Sequence, residues 1–303
     1  MRLFLLLVLT GLLAVPAQAQ FGYIDQDVLS RLADNQVAPL DSVPVARYKY
    51  YVVKETTRLD ARNNLYRRIG HSRRRDEGRK ELVKMLNRNT PPVERLYPGD
   101  TLIVPLEWNL DLRAYSPFPR MYAGGLDFDK LFVIDKTLQV FAAYEYGRLA
   151  RWGVISTGDP ENPTPNGRFN FNWRSKERVS SLSPPGQEWR MHWVFNFHER
   201  RGIHVHQYPL PVDGPVSHGC VRMLNADAKW TYDWADGWTR KGTRIVEQGT
   251  TVIIVGTESS TVEPFLMDGP EPVLKTVELP EHPFDIAPGT PQQERFDGLR
   301  GTR

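Results

Sequence analysis

One cysteine occurs in the 303 residues, and it lies in Ser217-His218-Gly219-Cys220-Val221-Arg222-Met223, sixteen residues after His204. A single thiol has no internal disulfide partner, so Cys220 is either inert or the reagent of a reaction. A neutral thiol is a poor nucleophile and needs a neighbouring base or local positive charge. Five of the seven histidines, His192, His198, His204, His206 and His218, crowd into the stretch just before it. Gly202-Ile203-His204-Val205-His206 reads as a strand, and residues two apart on a strand face the same side. Tyr208 to Pro215 holds three prolines and a glycine, so it is a loop able to bring Cys220 back opposite His204. A glycine before the nucleophile lets the backbone turn sharply and leaves peptide N–H groups uncovered. The amides of Gly219 and Cys220 are therefore candidates to cradle a developing oxyanion.

Two other readings compete for these residues. Cysteine is often a buried, inert hydrophobe, although the polar and glycine-flanked setting of Cys220 argues against that. His204 and His206 also form a two-ligand strand pair that Cys220 or His218 would complete around a metal. No third carboxylate or second cysteine has an obvious place, so no metal site is expected. Upstream, Trp193, Phe195 and Phe197 fall on one face of an aromatic strand, with His192, Asn196 and His198 on the other. Those histidines are either rim residues or part of the cleft wall, since the strand leads straight to His204. Trp230, Trp234 and Trp238 recur at helical spacing and read as core.

These residues must be carried by a scaffold that the rest of the chain supplies. Residues 1–19 read as a cleaved export signal, with Arg2, an apolar run from Leu3 to Leu13 and Ala17-Gln18-Ala19 before Gln20. The run is short for a bilayer span and no other stretch is long and apolar enough, so no transmembrane segment is expected after cleavage. The formal charge of +3 falls to +2 once Arg2 is removed, which implies no nucleic-acid partner. Arginines from Arg67 to Arg79 are interleaved with Asp76 and Glu77 and read as a solvated helix face. Residues 20–47 read as a linker, with a short helix candidate around Asp27 to Ala33. Residues 48–105 form one small α+β module: a strand at Tyr50 to Val53, a helical Glu81 to Leu86, and a Pro98-Gly99 turn into a second strand. A connector, 106–129, leads into 130–256, where short strands at Leu131–Asp135, Leu138–Glu145, Arg148–Ser156 and Thr251–Val255 predict a mainly β domain, a sandwich or strongly curved sheet. One helix is expected there, from Asn225 as N-cap, with Cys220 turning directly into it. Residues 257–303 hold seven prolines between Pro264 and Pro291 and read as an extended, partly disordered tail.

Gly202-Ile203-His204, followed by Ser217-His218-Gly219-Cys220-Val221-Arg222-Met223, resembles the catalytic signature of the L,D-transpeptidase (YkuD-type) family. Ser156-Thr157-Gly158 before Thr164-Pro165-Asn166-Gly167-Arg168-Phe169, and a closing strand begun by Gly242-Thr243, agree with it. The resemblance implies a mainly β, cysteine-dependent acyl-transferase of peptidoglycan. It implies Cys220 as nucleophile, His204 as base, and Ser217, His218 and Gly219 as shapers of the site and oxyanion pocket. Arg222 would hold the loop or a substrate carboxylate, and no cofactor is needed. The donor implied is a tetrapeptide stem that loses D-alanine, and the acceptor is an amine of a second stem or of a wall-attached protein. Water in place of that amine would give a hydrolytic relative, a carboxypeptidase, endopeptidase or wall-protein releasing enzyme. The sequence departs from the family pattern at Val205, where glycine is usual, and adds His206. That histidine is open as an orienting partner, a substrate-binding group or an alternative base. Residues 48–105 resemble a degenerate LysM-type module, on Tyr51-Val52-Val53-Lys54, Asn87-Arg88-Asn89 and the Pro-Gly-Asp-Thr-Leu-Ile-Val-Pro close, which implies contact with glycan. A non-catalytic peptidoglycan-binding protein is the remaining alternative. Location is expected to be extracytoplasmic and periplasmic.

Overall fold

The computed structural model describes residues 25–70, 77–88, 96–211, 214–260, 262, 265–267, 269–291 and 293–294. The expected export signal lies outside these, as do Asn89 and Arg73 to Asp76. α1 (Gln26–Ala33) begins at Asp25, whose carboxylate accepts the Val28 amide at 3.1 Å. Val28, Leu29 and Ala33 fall on its buried side. The segment expected as a linker is therefore packed, with Leu29, Ala33, Leu40 and Val43 in the core.

β1 (Tyr48–Val52), α2 (Arg58–Arg68), α3 (Glu77–Leu86) and β2 (Thr101–Pro105) make the N-terminal unit. β1 and β2 pair antiparallel with Tyr48 opposite Pro105. Two helices stand where the sequence suggested one, because Thr57 accepts the Asp60 amide and starts α2. Tyr51, Val53, Ala61, Leu65, Val83 and Leu102 give the unit its own small core. Arg88 ties it to the main sheet. Its buried guanidinium donates to the carbonyls of Gln139 at 2.9 Å and Ile155 at 3.0 Å.

The main domain holds β3 (Leu131–Asp135), β4 (Val140–Glu145), β5 (Arg148–Ser156), β6 (Gly167–Asn170), β7 (Arg174–Val179), β8 (Arg190–His198), β9 (Ile203–Gln207), β10 (Val221–Met223), α4 (Asn225–Trp234), β11 (Thr239–Lys241), β12 (Arg244–Glu247) and β13 (Thr251–Val255). Nine of these strands form one sheet in the order β6-β13-β3-β4-β5-β10-β9-β8-β7. The sheet curls on itself. Phe132 of β3 contacts Phe171, beyond the β6 edge, at 5.4 Å, and Phe171 stacks on Phe195 of β8 at 4.4 Å. The other face packs Leu131, Val133, Val140 and Trp152 against the N-terminal segments and against Phe265 and Val277 of the tail. Burial on both faces explains why β3 and β4 are continuous apolar runs rather than alternating ones.

β14 (Leu266–Met267) pairs with β15 (Val273–Leu274) in the tail. Further on, the tail is extended and runs along the β6 edge, where Arg168 donates to Ala287 and Gly289 to Arg168, each at 2.8 Å. It thereby covers backbone groups that an open edge would leave unpaired. Two local expectations shift. The three-residue β10 intervenes between Cys220 and α4, and α4 starts at Asn225 itself, whose side-chain oxygen accepts the Trp193 indole N–H at 3.0 Å instead of capping.

Candidate active site

Strand register brings the chemistry together. β9 and β10 run parallel with Val221 opposite Val205, so Cys220, one residue ahead of β10, arrives beside His204. The connection from Tyr208 to Cys220 is pinned on both sides. Ser156 Oγ donates to the Gly214 carbonyl at 3.0 Å, and the Ser217 amide donates to Thr157 at 3.1 Å. The Arg222 guanidinium donates to the carbonyls of Pro209 at 3.3 Å and Val216 at 3.2 Å. Its place is therefore inside the loop.

Cys220 Sγ lies 3.7 Å from His204 Nδ1 and 3.9 Å from the Gly202 carbonyl oxygen. Cys220 is half-buried, and burial pushes its thiol pKa up. His204 is pushed down to about 3 by burial first, then by His206 and Arg178. Its Nε2 is buried and has no hydrogen-bond partner among the described residues. The ring is held instead by Trp173, edge to face at 5.2 Å. A resting pair of neutral thiol and neutral imidazole follows. For Nδ1 to take the thiol proton, Nε2 must carry the other one.

Both His204 and His206 face the cleft, as the two-residue spacing requires. His206 Nδ1 is 3.0 Å from the Gln207 carbonyl and its ring meets Tyr208 edge-on at 5.9 Å. Burial also lowers its pKa, to about 4. Its bonds run to its own strand and not to His204. Among the described residues no group of three His, Cys, Asp or Glu side chains could hold a metal ion. His218 is exposed at the rim, stacked on Trp189 at 6.0 Å.

The Gly219 turn has a specific architecture. Gly219 adopts φ +110°, a conformation that side chains disfavour. Its amide donates to Ser217 Oγ at 3.1 Å, and that hydroxyl donates in turn to the Cys220 carbonyl. The Gly219 N–H is thus held inside the loop. The amide of Cys220 has no acceptor among the described residues and is the available oxyanion donor. Thr164 fixes its direction. The buried hydroxyl donates to the Gly219 carbonyl at 2.8 Å and accepts the Gly158 amide at 2.9 Å. In a trans peptide the N–H points opposite to the C=O, so anchoring that carbonyl aims the Cys220 N–H away from Thr164. Thr164→Val should lower the rate of Cys220 acylation by about 10- to 100-fold, as small misplacements at a reacting centre do. Thr164→Ser should restore most of it. Intact-protein mass spectrometry of the acylation time course distinguishes the two; equal rates for Val and wild type would refute the role.

The aromatic strand behaves differently from its period. β8 is irregular where it pairs with β9, and Trp193 has φ +53°. Asn196 turns inward and donates to the Ile203 carbonyl at 3.0 Å, while His198 packs on Phe169 at 5.7 Å. His192 lies on the exposed side near Glu177. None of the three lines the cleft; Met191 and Trp189 do. Residues with no signal in the sequence also complete the site, Trp173 against His204 and Arg178 and Arg201 on the walls, while Thr164, part of the flanking motif, stands behind Gly219.

Residues 129–254 match the family model of the L,D-transpeptidase catalytic domain (YkuD). Over 93 residues the chain is 31% identical to "Probable L,D-transpeptidase 3" of Mycobacterium tuberculosis (strain H37Rv), covering 27% of this chain and 34% of that protein. Among solved structures it is similar to an L,D-transpeptidase from Mycobacterium smegmatis, with 24% identity, 42% of this chain and 59% of that one covered, and a TM-score of 0.35. An L,D-transpeptidase from Mycobacterium tuberculosis H37Rv gives 22% identity, 42% and 58% coverage, and a TM-score of 0.35. The chain thus spans about a third of the length of the curated relative it matches.

Proposed function

We propose, from the match of residues 129–254 to the L,D-transpeptidase (YkuD) catalytic-domain model, that this protein is an exported cysteine acyl-transferase of peptidoglycan. The observation that carries the reading is the Cys220 Sγ to His204 Nδ1 approach of 3.7 Å in a cleft whose charged walls are arginines. His204 Nδ1 takes the thiol proton as Sγ attacks the carbonyl that joins the third stem residue to D-alanine. The tetrahedral oxyanion meets the amide of Cys220. Collapse breaks the C–N bond, the departing amine of D-alanine takes the proton from His204, and a thioester remains on Cys220. An acceptor amine then attacks the thioester carbonyl, loses its proton to His204, and the thiol is restored. The acceptor is a second stem or a wall-attached protein. The apolar segment ahead of Ala17-Gln18-Ala19 supports export to the periplasm. The β1-α2-α3-β2 unit, with its LysM-like sequence, supports a glycan contact that holds the enzyme on its polymer.

Purified protein incubated with defined muropeptides should yield cross-linked dimers with loss of D-alanine, read by mass spectrometry. Cys220→Ala should yield none. Monomers released with water in place of the acceptor would assign the hydrolytic reaction instead, and identical behaviour of the wild type and Cys220→Ala would remove the enzymatic reading.

A further inference from the structure

The cleft around Cys220 is lined by Arg178, Arg201 and Arg222 and by no Asp or Glu among the described residues. The three guanidinium groups are not equivalent. Arg222 is bonded to the loop carbonyls of Pro209 and Val216. Arg178 lies on the face of Trp173, 5.0 Å from the ring centre, on the β7 wall. Arg201 is the one against the turn that precedes the nucleophile. Its Nη2 stands 3.6 Å from where a Cβ on Gly219 would be, and the carbonyl of the next residue, Gly202, is 3.9 Å from Cys220 Sγ.

The position is built, not incidental. Arg201 sits in the tight β8–β9 turn, where the Gly202 amide donates to Glu199 at 3.1 Å and Gly202 has φ +64°. The Arg201 amide is held by His198 Nδ1 at 3.4 Å. Its side chain is steadied by a single bond, from Nη2 to the Pro163 carbonyl at 3.2 Å. The other guanidinium N–H groups have no partner among the described residues, so a forked donor is left facing the cleft.

We propose that Arg201 binds the free C-terminal carboxylate of the residue that leaves the donor. This rests on the acyl-transfer reading above and specifies its substrate. In a leaving D-alanine the carboxylate carbon lies two bonds from the scissile nitrogen, within about 4 Å of the carbon that sulfur attacks. A guanidinium against the Gly219 turn, one residue ahead of Cys220, with N–H groups left over for the cleft, is placed to meet that carboxylate. The consequence is exo-specificity: a stem ending in a free D-alanine carboxylate is accepted, whereas one that is amidated or extended at that end loses the ion pair. A planar guanidinium suits this better than an ammonium, because it pairs a carboxylate through two parallel bonds.

The test is binding, measured by calorimetry on Cys220→Ala protein, which cannot turn over. The ligands are a stem tetrapeptide ending in D-alanine and the same peptide ending in D-alaninamide. The carboxylate should bind about 10- to 100-fold more tightly, as a charged hydrogen-bonded pair does. Adding Arg201→Ala should shrink that gap to less than about threefold by weakening the acid and leaving the amide unchanged. Arg178→Ala should leave the gap intact. Equal binding of acid and amide by Cys220→Ala protein overturns the proposal even if the Arg201 variant cannot be purified. So does a gap that survives Arg201→Ala or disappears with Arg178→Ala. Failure of the acyl-transfer reading would look different: wild-type enzyme would bind the acid yet release no D-alanine.

Discussion

Replacing His204 with alanine should slow acylation of Cys220 by about 100- to 10,000-fold, the range over which a positioned general base acts. The geometry also dictates how the remaining activity depends on pH. A preformed thiolate–imidazolium pair needs a histidine that holds a proton at neutral pH, and His204 does not: burial holds it near 3. The imidazolium would also spread its charge over a ring whose Nε2 is buried without a hydrogen-bond partner among the described residues. The same burial raises the Cys220 pKa. Both shifts favour the neutral pair, so the proton moves to Nδ1 during attack and not before it. Two results follow for the wild type. Acylation should show no acid limb between about pH 5 and 8, because His204 is already unprotonated throughout. Alkylation of Cys220 by iodoacetamide should keep rising past the ordinary thiol range of about 8.5 without a plateau at neutral pH. A flat alkylation rate from pH 5 to 8 would mean a standing thiolate and would overturn the neutral pair.

The partner that orients His204 was the open point in the sequence, and the structure shows why it was illegible there. Val205 occupies a position whose side chain turns into the core, and His206 shares the cleft face but bonds to the backbone of its own strand. The contact to His204 comes from Trp173, thirty-one residues earlier, just ahead of the edge strand β7 and across β8 from β9. Only the long-range pairing of β7 with β8 and of β8 with β9 brings that ring in. That Cys220 comes back opposite His204 was legible because a strand and a proline-rich return are local features, whereas β10, which fixes the register, was not. The strand limits of β3, β5 and β13 were legible because buried β-branched runs ended by turns are local too. β8 was not, since its irregular pairing breaks the two-residue alternation that the sequence suggests. The packed tail was missed for a related reason: proline-rich composition marks an extended chain but does not reveal that it lies along β6.

Arg151→Met should destabilise the fold by about 3–5 kcal/mol, the cost of stranding one member of a buried ion pair. Arg151 Nε donates to Asp227 Oδ1 at 2.7 Å, and both side chains are almost fully buried. Asp34 is the only other carboxylate near the guanidinium among the described residues, 3.8 Å away and exposed, and the Trp230 ring lies 5.3 Å below it. Asp227 Oδ2 has no partner among the described residues. Burial raises the Asp227 pKa and Arg151 opposes that rise, so removing the arginine raises it further. A carboxyl whose folded pKa exceeds its unfolded value binds its proton more tightly in the fold. The penalty is therefore full above the folded pKa and shrinks as pH falls through it. Chemical denaturation of Arg151→Met should show a larger deficit at pH 8 than at pH 5, and the double variant with Asp227→Leu should recover most of the loss at pH 8. A deficit below about 1 kcal/mol, or one that is the same at both pH values, would mean that the pair is not a buried charge pair. Its location makes the effect reach the thiol. Asp227 stands in the first turn of α4 directly after β10, and Arg151 is on β5, which pairs with β10 on the side away from β9. The pair thus clamps the helix onto the strand that sets where Cys220 ends up against His204, and loosening it should lower acylation at temperatures well below unfolding.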